Sequence, residues 1–159
     1  MSVRTGIGWD SHRLVAGRPL ILGGVTFEHE LGLDGHSDAD VLTHAVMDAL
    51  LGAAGLEDIG VHFPDSDGRY HGADSVALLE TVVAMVADRG LAVVNVDTTL
   101  MMERPKLGAR RAEIRTRLAL ALGIETERVN VKASTGEGIG FVGREEGVGA
   151  LAVATLVER

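Results

Sequence analysis

The chain has 159 residues, with 24% charged and 46% AVILMFWYC residues, the profile of one soluble globular domain expected to span residues 1–159. It contains no cysteine, which excludes a disulfide scaffold, a thiolate metal site and a cysteine nucleophile, so a bound metal must take His, Asp or Glu ligands. The net charge of -8 argues against nucleic-acid binding. The absence of an apolar signal core or spanning run predicts a cytoplasmic protein with no membrane partner.

In chain order, residues 3–9 read as a strand running into a polar turn, Asp10-Ser11-His12. Residues 19–27 read as a hairpin turning at Gly23-Gly24, and a polar glycine-containing loop follows. A helix begins at Asp38 or Asp40, either a good N-cap. Val41, Leu42, Ala45, Val46, Ala49 and Leu50 form its apolar stripe. Residues 57–73 form a long acidic loop with a helical turn near its start. A second helix spans 74–89, capped by Asp74 or Ser75 and stopped at Gly90. A β-branched strand over 91–102 ends before Pro105, and a third helix covers 108–122. Residues 128–135 are a strand, a glycine-rich loop follows, and 147–157 is a last strand, apolar or small on both faces as in a strand covered on both sides. The covering layers are helices or a second copy of the chain. With aromatics at 3%, the core must be built from Val, Leu, Ile and Ala.

Asp10-x-His12 lies at a strand end. Side chains alternate along a strand, so these two share a face. His44 lies on the first helix with Asp40 and Asp48 at i−4 and i+4, and either carboxylate could orient its free ring nitrogen. Three N/O ligands with an open fourth position describe a catalytic zinc site. An exposed or core histidine is the plainer alternative for His44.

Other segments point to anions. His36-Ser37-Asp38 offers hydroxyl and backbone donors before a helix, or plain N-capping. Residues 132–137, Lys-Ala-Ser-Thr-Gly-Glu, offer hydroxyls and N–H groups to phosphates, with Glu137 suited to a hard cation. They are not a Walker A loop, because the G-K-[ST] ending is missing. Asp58, Asp65 and Asp67 suit sugar hydroxyls or a second metal better than phosphate, unless they are solvated loop acids. Arg104, Lys106, Arg110, Arg111, Arg115 and Arg117 form either a solvated helix face or an anion-attracting patch.

These segments together resemble the 2-C-methyl-D-erythritol 2,4-cyclodiphosphate synthase family of the non-mevalonate isoprenoid pathway. The resemblance runs through G-W-D-S-H at 8–12, H-S-D-A-D-V-L-T-H at 36–44, D-A-L-L-G-A at 48–53, D-I-G-V-H-F-P-D-S-D at 58–67 and G-A-D-S at 72–75. It continues through P-K-L at 105–107, N-V-K-A-S-T-G-E at 130–137 and G-F-V-G-R-E-E-G at 140–147.

The resemblance implies a phosphorus–oxygen lyase that cyclises 4-diphosphocytidyl-2-C-methyl-D-erythritol 2-phosphate and releases CMP. It implies zinc on Asp10, His12 and His44, one ion per subunit, and Mg²⁺ or Mn²⁺ at Glu137. His36 and Thr135 take the place of the transition-state stabilisers. The remaining substrate contacts are Ser37, Asp58, Ile59, Gly60, Phe63, Asp65 and Asp67, then Met102, Lys106, Leu107, Gly108, Ala133 and Ser134. The implied fold is α/β (α+β): a mixed sheet with helices on one face, packing around the axis of a homotrimer with active sites between subunits. Phe141 and Arg144 match positions lining a central cavity for an isoprenoid diphosphate. Trp9, Met102-Glu103-Arg104 and Gly136 depart from the commoner pattern, and His29, His62 and His71 match no motif and read as surface residues. A zinc phosphohydrolase and a non-enzymatic isoprenoid-diphosphate-binding trimer are the alternatives.

Overall fold

A computed structural model describes residues 1–159. Seven strands and five helices follow in the order β1 (Val3–Ala16), β2 (Leu20–Leu22), β3 (Val25–Phe27), β4 (Leu31–Leu33), α1 (Val41–Ala54), α2 (Ile59–His62), α3 (Ser75–Asp88), β5 (Leu91–Met101), α4 (Arg110–Leu122), β6 (Val129–Ser134), α5 (Gly140–Gly143) and β7 (Gly147–Glu158). The five-stranded sheet has the order β4-β1-β7-β5-β6, and β2 and β3 form a separate ribbon. The sheet is mixed: β5 and β6 pair in parallel, as the α4 crossover between them allows, and the other neighbours are antiparallel. No helix is long and apolar enough to cross a membrane.

The first strand is longer than its sequence suggests. Asp10-Ser11-His12 is not a turn, because β1 continues to Ala16. Its pairing with β7 is unbroken from Val3 opposite Val157 to Arg13 opposite Gly147. Polar residues mid-strand mimic a turn locally, and the cross-strand hydrogen bonds override them. The polar loop after the hairpin likewise contains β4, three residues paired with Leu14–Ala16.

Twelve residues of α1 are buried. A helix covered on nearly all sides must lie in the core, and α1 lies on β1 and β7 beneath α3. Glycines let it come close. A Cβ on Gly8 would fall 1.8 Å from the Ala45 carbonyl oxygen, and one on Gly6 would fall 2.1 Å from that of Ala49. Ala45, Ala49 and Ala53 thus present a small-residue stripe against backbone, at the i, i+4, i+8 spacing of one helix face. Asp40, not Asp38, caps α1. Its buried carboxylate accepts from Thr43 N and Thr43 Oγ1, and from the Gly23 and Gly24 amides at 2.8 and 2.7 Å. One side chain thereby fastens the β2–β3 turn to the helix start. The core is aliphatic as expected, with Phe27 its one aromatic member.

The helices cover one face of the sheet. On the other, Ile7 is 69% exposed, and Val3, Trp9 and Val153 are also exposed. The second face of β7 is therefore uncovered within the single chain.

Candidate metal and phosphate site

Alternation along β1 turns Asp10 and His12 toward α1, and burial of α1 aims His44 back at them. Asp10 Oδ2 lies 2.8 Å from His12 Nε2 and 3.0 Å from His44 Nδ1. The two imidazole nitrogens are 3.2 Å apart. One ligand atom from each residue lies within 4.8 Å of the others. Donors at zinc bond lengths of about 2.0–2.1 Å on a tetrahedron stand about 3.3 Å apart, so small movements fit this trio to a divalent ion. The N, N, O donor set suits zinc, with a fourth position left for an exchangeable ligand.

Both imidazoles are fixed through their other nitrogen, as metal-ligating histidines are. His12 Nδ1–H donates to the Asp34 carbonyl at 2.7 Å. His44 Nε2–H faces Ser75 Oγ at 2.8 Å and Ser37 Oγ at 3.1 Å. Ser75 Oγ in turn donates to Asp38, whose other oxygen accepts from Ser75 N at 3.0 Å. The expectation that Asp40 or Asp48 orients His44 is therefore corrected. Asp40 is occupied at the hairpin turn, and Asp48 accepts from Ile59 N at 2.8 Å. Helix spacing reveals neighbours on the same helix only, whereas the orienting hydroxyl comes from the start of α3. Ser75→Ala is expected to weaken zinc binding about tenfold, with Ser37 retaining part of the contact. Competition against a chromogenic chelator measures this.

Burial raises the Asp10 carboxyl, but hydrogen bonds and charge from His12 and His44 outweigh it and bring it down to about 2. Burial lowers His12, but its bonds to Asp10 and Asp34 outweigh that and hold it above the ordinary 6.5. In metal-free protein the raised His12 contributes stability that is fully present below pH 6.5 and lost as pH rises through its folded value. The lowered Asp10 contributes stability present above 3.8 and lost as pH falls toward 2. Zinc must displace the His12 proton, so its affinity rises with pH. Melting curves from about pH 5 to 8 should therefore fall for EDTA-treated protein and rise with zinc. Parallel slopes would rule out proton–metal competition at His12.

A small cavity beside His44 is lined by His36, Ser37, Ile59, Phe63 and Asp65, and by three residues the sequence did not single out, Met47, Tyr70 and Leu78. Phe63 and Tyr70 meet edge to face at 5.3 Å. His36 is held by Asp67 O at 3.2 Å, and the His71 ring lies 5.3 Å away. Asp58 caps α2 through Val61 N, and Gly60 is exposed on that turn. The Asp67 carboxylate is gripped by Arg69 at 2.6 Å. His62 is half-buried rather than a free surface group, bonded to Leu56 O at 2.7 Å.

A second cavity, of about 170 Å³, is lined by Met102, Lys106, Leu107, Gly108, Ala133, Ser134 and Thr135, and also by Pro105 and Arg111. Parallel pairing of β5 with β6 brings its two walls together. Arg111 thus lines a cavity, while other members of the basic cluster serve packing: Arg110 lies over Phe27, and Arg115 donates to Val129 O and Thr126 O. Glu137, with a left-handed φ of 54°, lies beside Thr135. Phe141 lines a shallow pocket with His12 and Arg13, and Arg144 pairs with Glu146 at 3.1 Å. Of the metal trio, His44 lines the His36–Ser37 cavity, which shares no lining residue with the Lys106 cavity.

The sequence model of the YgbB family matches residues 3–157. The 2-C-methyl-D-erythritol 2,4-cyclodiphosphate synthase of Salinibacter ruber is 60% identical over 97% of this chain and 98% of its own length. The bifunctional enzyme IspD/IspF of Anaeromyxobacter dehalogenans is also 60% identical, over 98% of this chain, which spans 40% of that longer protein. A solved 2C-methyl-D-erythritol-2,4-cyclodiphosphate synthase, described as the bound form with CDP, superposes with a TM-score of 0.89. It is 38% identical, over 97% of this chain and 100% of that one.

Proposed function

We infer the function from one premise, that the chain belongs to the YgbB family: it converts 4-diphosphocytidyl-2-C-methyl-D-erythritol 2-phosphate into 2-C-methyl-D-erythritol 2,4-cyclodiphosphate and CMP. It is a phosphorus–oxygen lyase of non-mevalonate isoprenoid biosynthesis, working in the cytoplasm. The observation that carries this is the convergence of Asp10, His12 and His44 next to the His36–Ser37 cavity.

The substrate holds its own nucleophile. An oxygen of the 2-phosphate attacks the β-phosphorus, the bond from that phosphorus to the bridging oxygen breaks, and the oxygen leaves with CMP. No side chain need become covalent, so the protein's work is positioning and charge neutralisation. Asp10, His12 and His44 would hold a zinc ion, which would supply Lewis-acid polarisation of a phosphate oxygen, and Glu137 would help hold Mg²⁺ or Mn²⁺, which would offset phosphate charge. His36 and Ser37 hold the methylerythritol phosphate, and Asp65 accepts from its hydroxyls. Asp58 and Gly60 take the ribose. The cavity of Lys106, Ala133 and Ser134 takes cytosine, and the Thr135 hydroxyl steadies the transferring phosphoryl group. The CDP-bound relative supports a cytidine nucleotide in this role.

The bare sheet face with Ile7, Trp9 and Val153 supports a homotrimer, since contiguous exposed apolar surface marks an interface. The His44 and Lys106 cavities share no lining residue within one chain, which supports active sites completed by a neighbouring subunit. On this reading Phe141 and Arg144 meet an isoprenoid diphosphate on the trimer axis, as the family resemblance implies.

Phosphorus NMR of the protein with the diphosphocytidyl substrate, Zn²⁺ and Mg²⁺ tests the reaction. CMP with a cyclic diphosphate supports it, and inorganic phosphate or a linear product indicates hydrolysis instead.

A further inference from the structure

Glu103 follows Met102 in the chain beside the Lys106 cavity but does not line it. Its half-buried carboxylate accepts a hydrogen bond from the Gly136 backbone N–H, across 33 positions of sequence. The placement follows from the sheet. The parallel ladder of β5 and β6 ends with Met101 opposite Ser134, and Met102 N–H adds one more rung to Ser134 O at 2.9 Å. Glu103 then supplies a side-chain acceptor where backbone pairing has run out.

Residues beyond that point have few side chains of their own to fix them, since 136, 138, 140 and 143 are all glycine. Glycine has the most backbone freedom to lose on ordering. Gly136 also has no room for a substituent, because a Cβ would meet Gly143 N at 2.6 Å and Ile139 O at 2.9 Å. Its carbonyl accepts from Ile139 N–H at 2.8 Å, so Glu103 and Ile139 hold its two polar groups. The next residue, Glu137, keeps a left-handed φ of 54°, a conformation that persists in a non-glycine residue only when its surroundings enforce it. Thr135 Oγ1 accepts from Glu137 N–H at 3.2 Å and faces its carboxylate at 3.4 Å. Arg104 ties the same strip to Glu145 at 2.6 Å and to Glu30 at 3.2 Å.

We propose that Glu103 is a positioning residue. Through the Gly136 amide it sets the conformation of Thr135 and Glu137, and thereby the second-ion site and the phosphoryl contact. This rests on the roles proposed above for those two residues. A charge-assisted bond to a backbone N–H is among the stronger single hydrogen bonds, and its loss frees the Gly136 amide from the side-chain acceptor that ties it to the end of β5.

The test compares Glu103→Ala with Glu103→Gln, whose amide oxygen still accepts. Amide hydrogen exchange at residues 136 and 137 is read by NMR or mass spectrometry, and turnover is titrated with Mn²⁺. In Glu103→Ala, exchange should quicken about tenfold or more and the Mn²⁺ half-saturation should rise about fivefold or more. Glu103→Gln, which keeps an acceptor but loses its charge, should fall between wild type and the alanine variant in both, and thermal midpoints should match closely in all three. Unchanged exchange in the alanine variant overturns the proposal. So does quicker exchange with an unmoved Mn²⁺ half-saturation, or a glutamine variant as impaired as alanine. If wild-type protein releases no CMP, the proposed reaction fails, while the exchange measurement still decides whether Glu103 holds the loop.

Discussion

Replacing His44 with alanine is expected to empty the metal site and reduce kcat/KM by about 10³-fold or more. Lewis-acid polarisation at a phosphate is worth several kcal/mol, and each 1.36 kcal/mol is about tenfold in rate. His44 is 7% exposed and supplies Nδ1 to the trio. No other ligand candidate belongs to the cluster, so Asp10 and His12 would be left as a two-ligand site that also competes with protons. The variant should still fold: α1 keeps its cap at Asp40 and its alanine stripe against β1. Metal content by elemental analysis, CMP release and oligomeric state together check this. Full zinc occupancy with normal turnover would show that the ligand set is wrong.

Gly8→Ala is expected to destabilise the protein by about 3 kcal/mol or more. Overpacking of a core usually costs about 1–3 kcal/mol. Here the obstacle is the Ala45 carbonyl oxygen at 1.8 Å, and backbone cannot yield as a side-chain tip can. Relief requires α1 to lift from β1. That movement carries His44, next to Ala45, away from Asp10 and His12, so zinc affinity should fall with stability. Gly52→Ala is the control on the same helix. Its new methyl meets only Ile7 O, at 3.9 Å, and helix propensity should make it neutral or stabilising by up to about 1 kcal/mol. Urea denaturation of both variants reads the contrast. A Gly8→Ala protein as stable as wild type would mean that the helix does not sit directly on the strand.

Local signals carried far in this chain because several coincide with their physical causes. Asp10 and His12 alternate onto one face, Gly90 follows its helix with a left-handed φ of 71°, and Gly23-Gly24 turns the ribbon. The misreadings arose where a distant segment decides the outcome. The β1 strand runs through Asp-Ser-His because β7 pairs with it, β4 is a strand only beside Leu14–Ala16, and Asp40 serves the hairpin rather than His44. The partners of the imidazoles were hidden for the same reason. Asp34 O leaves no trace in residue type, and Ser75 reads as a capping candidate. Arg111 was visible as a charge, but only the β5–β6 geometry shows that it faces a cavity. Family resemblance reached further than spacing did: the separate Lys106 and His36 groupings exist as two hollows, although nothing in their spacing predicts either.

The pairing of β1 with β7 fixes when the metal site can form during synthesis. Asp10 lies opposite Ala150 and His12 opposite Val148, so the strand bearing two of the three ligands lacks its main partner until nearly 140 residues later in the chain. On the ribosome, α1, the ribbon and β4 can gather early, but the stretch of β1 bearing Asp10 and His12 still lacks its cross-strand partner. A chain halted before residue 147 is therefore expected to hold a divalent ion more weakly than the full chain, which chelator competition on the two would read.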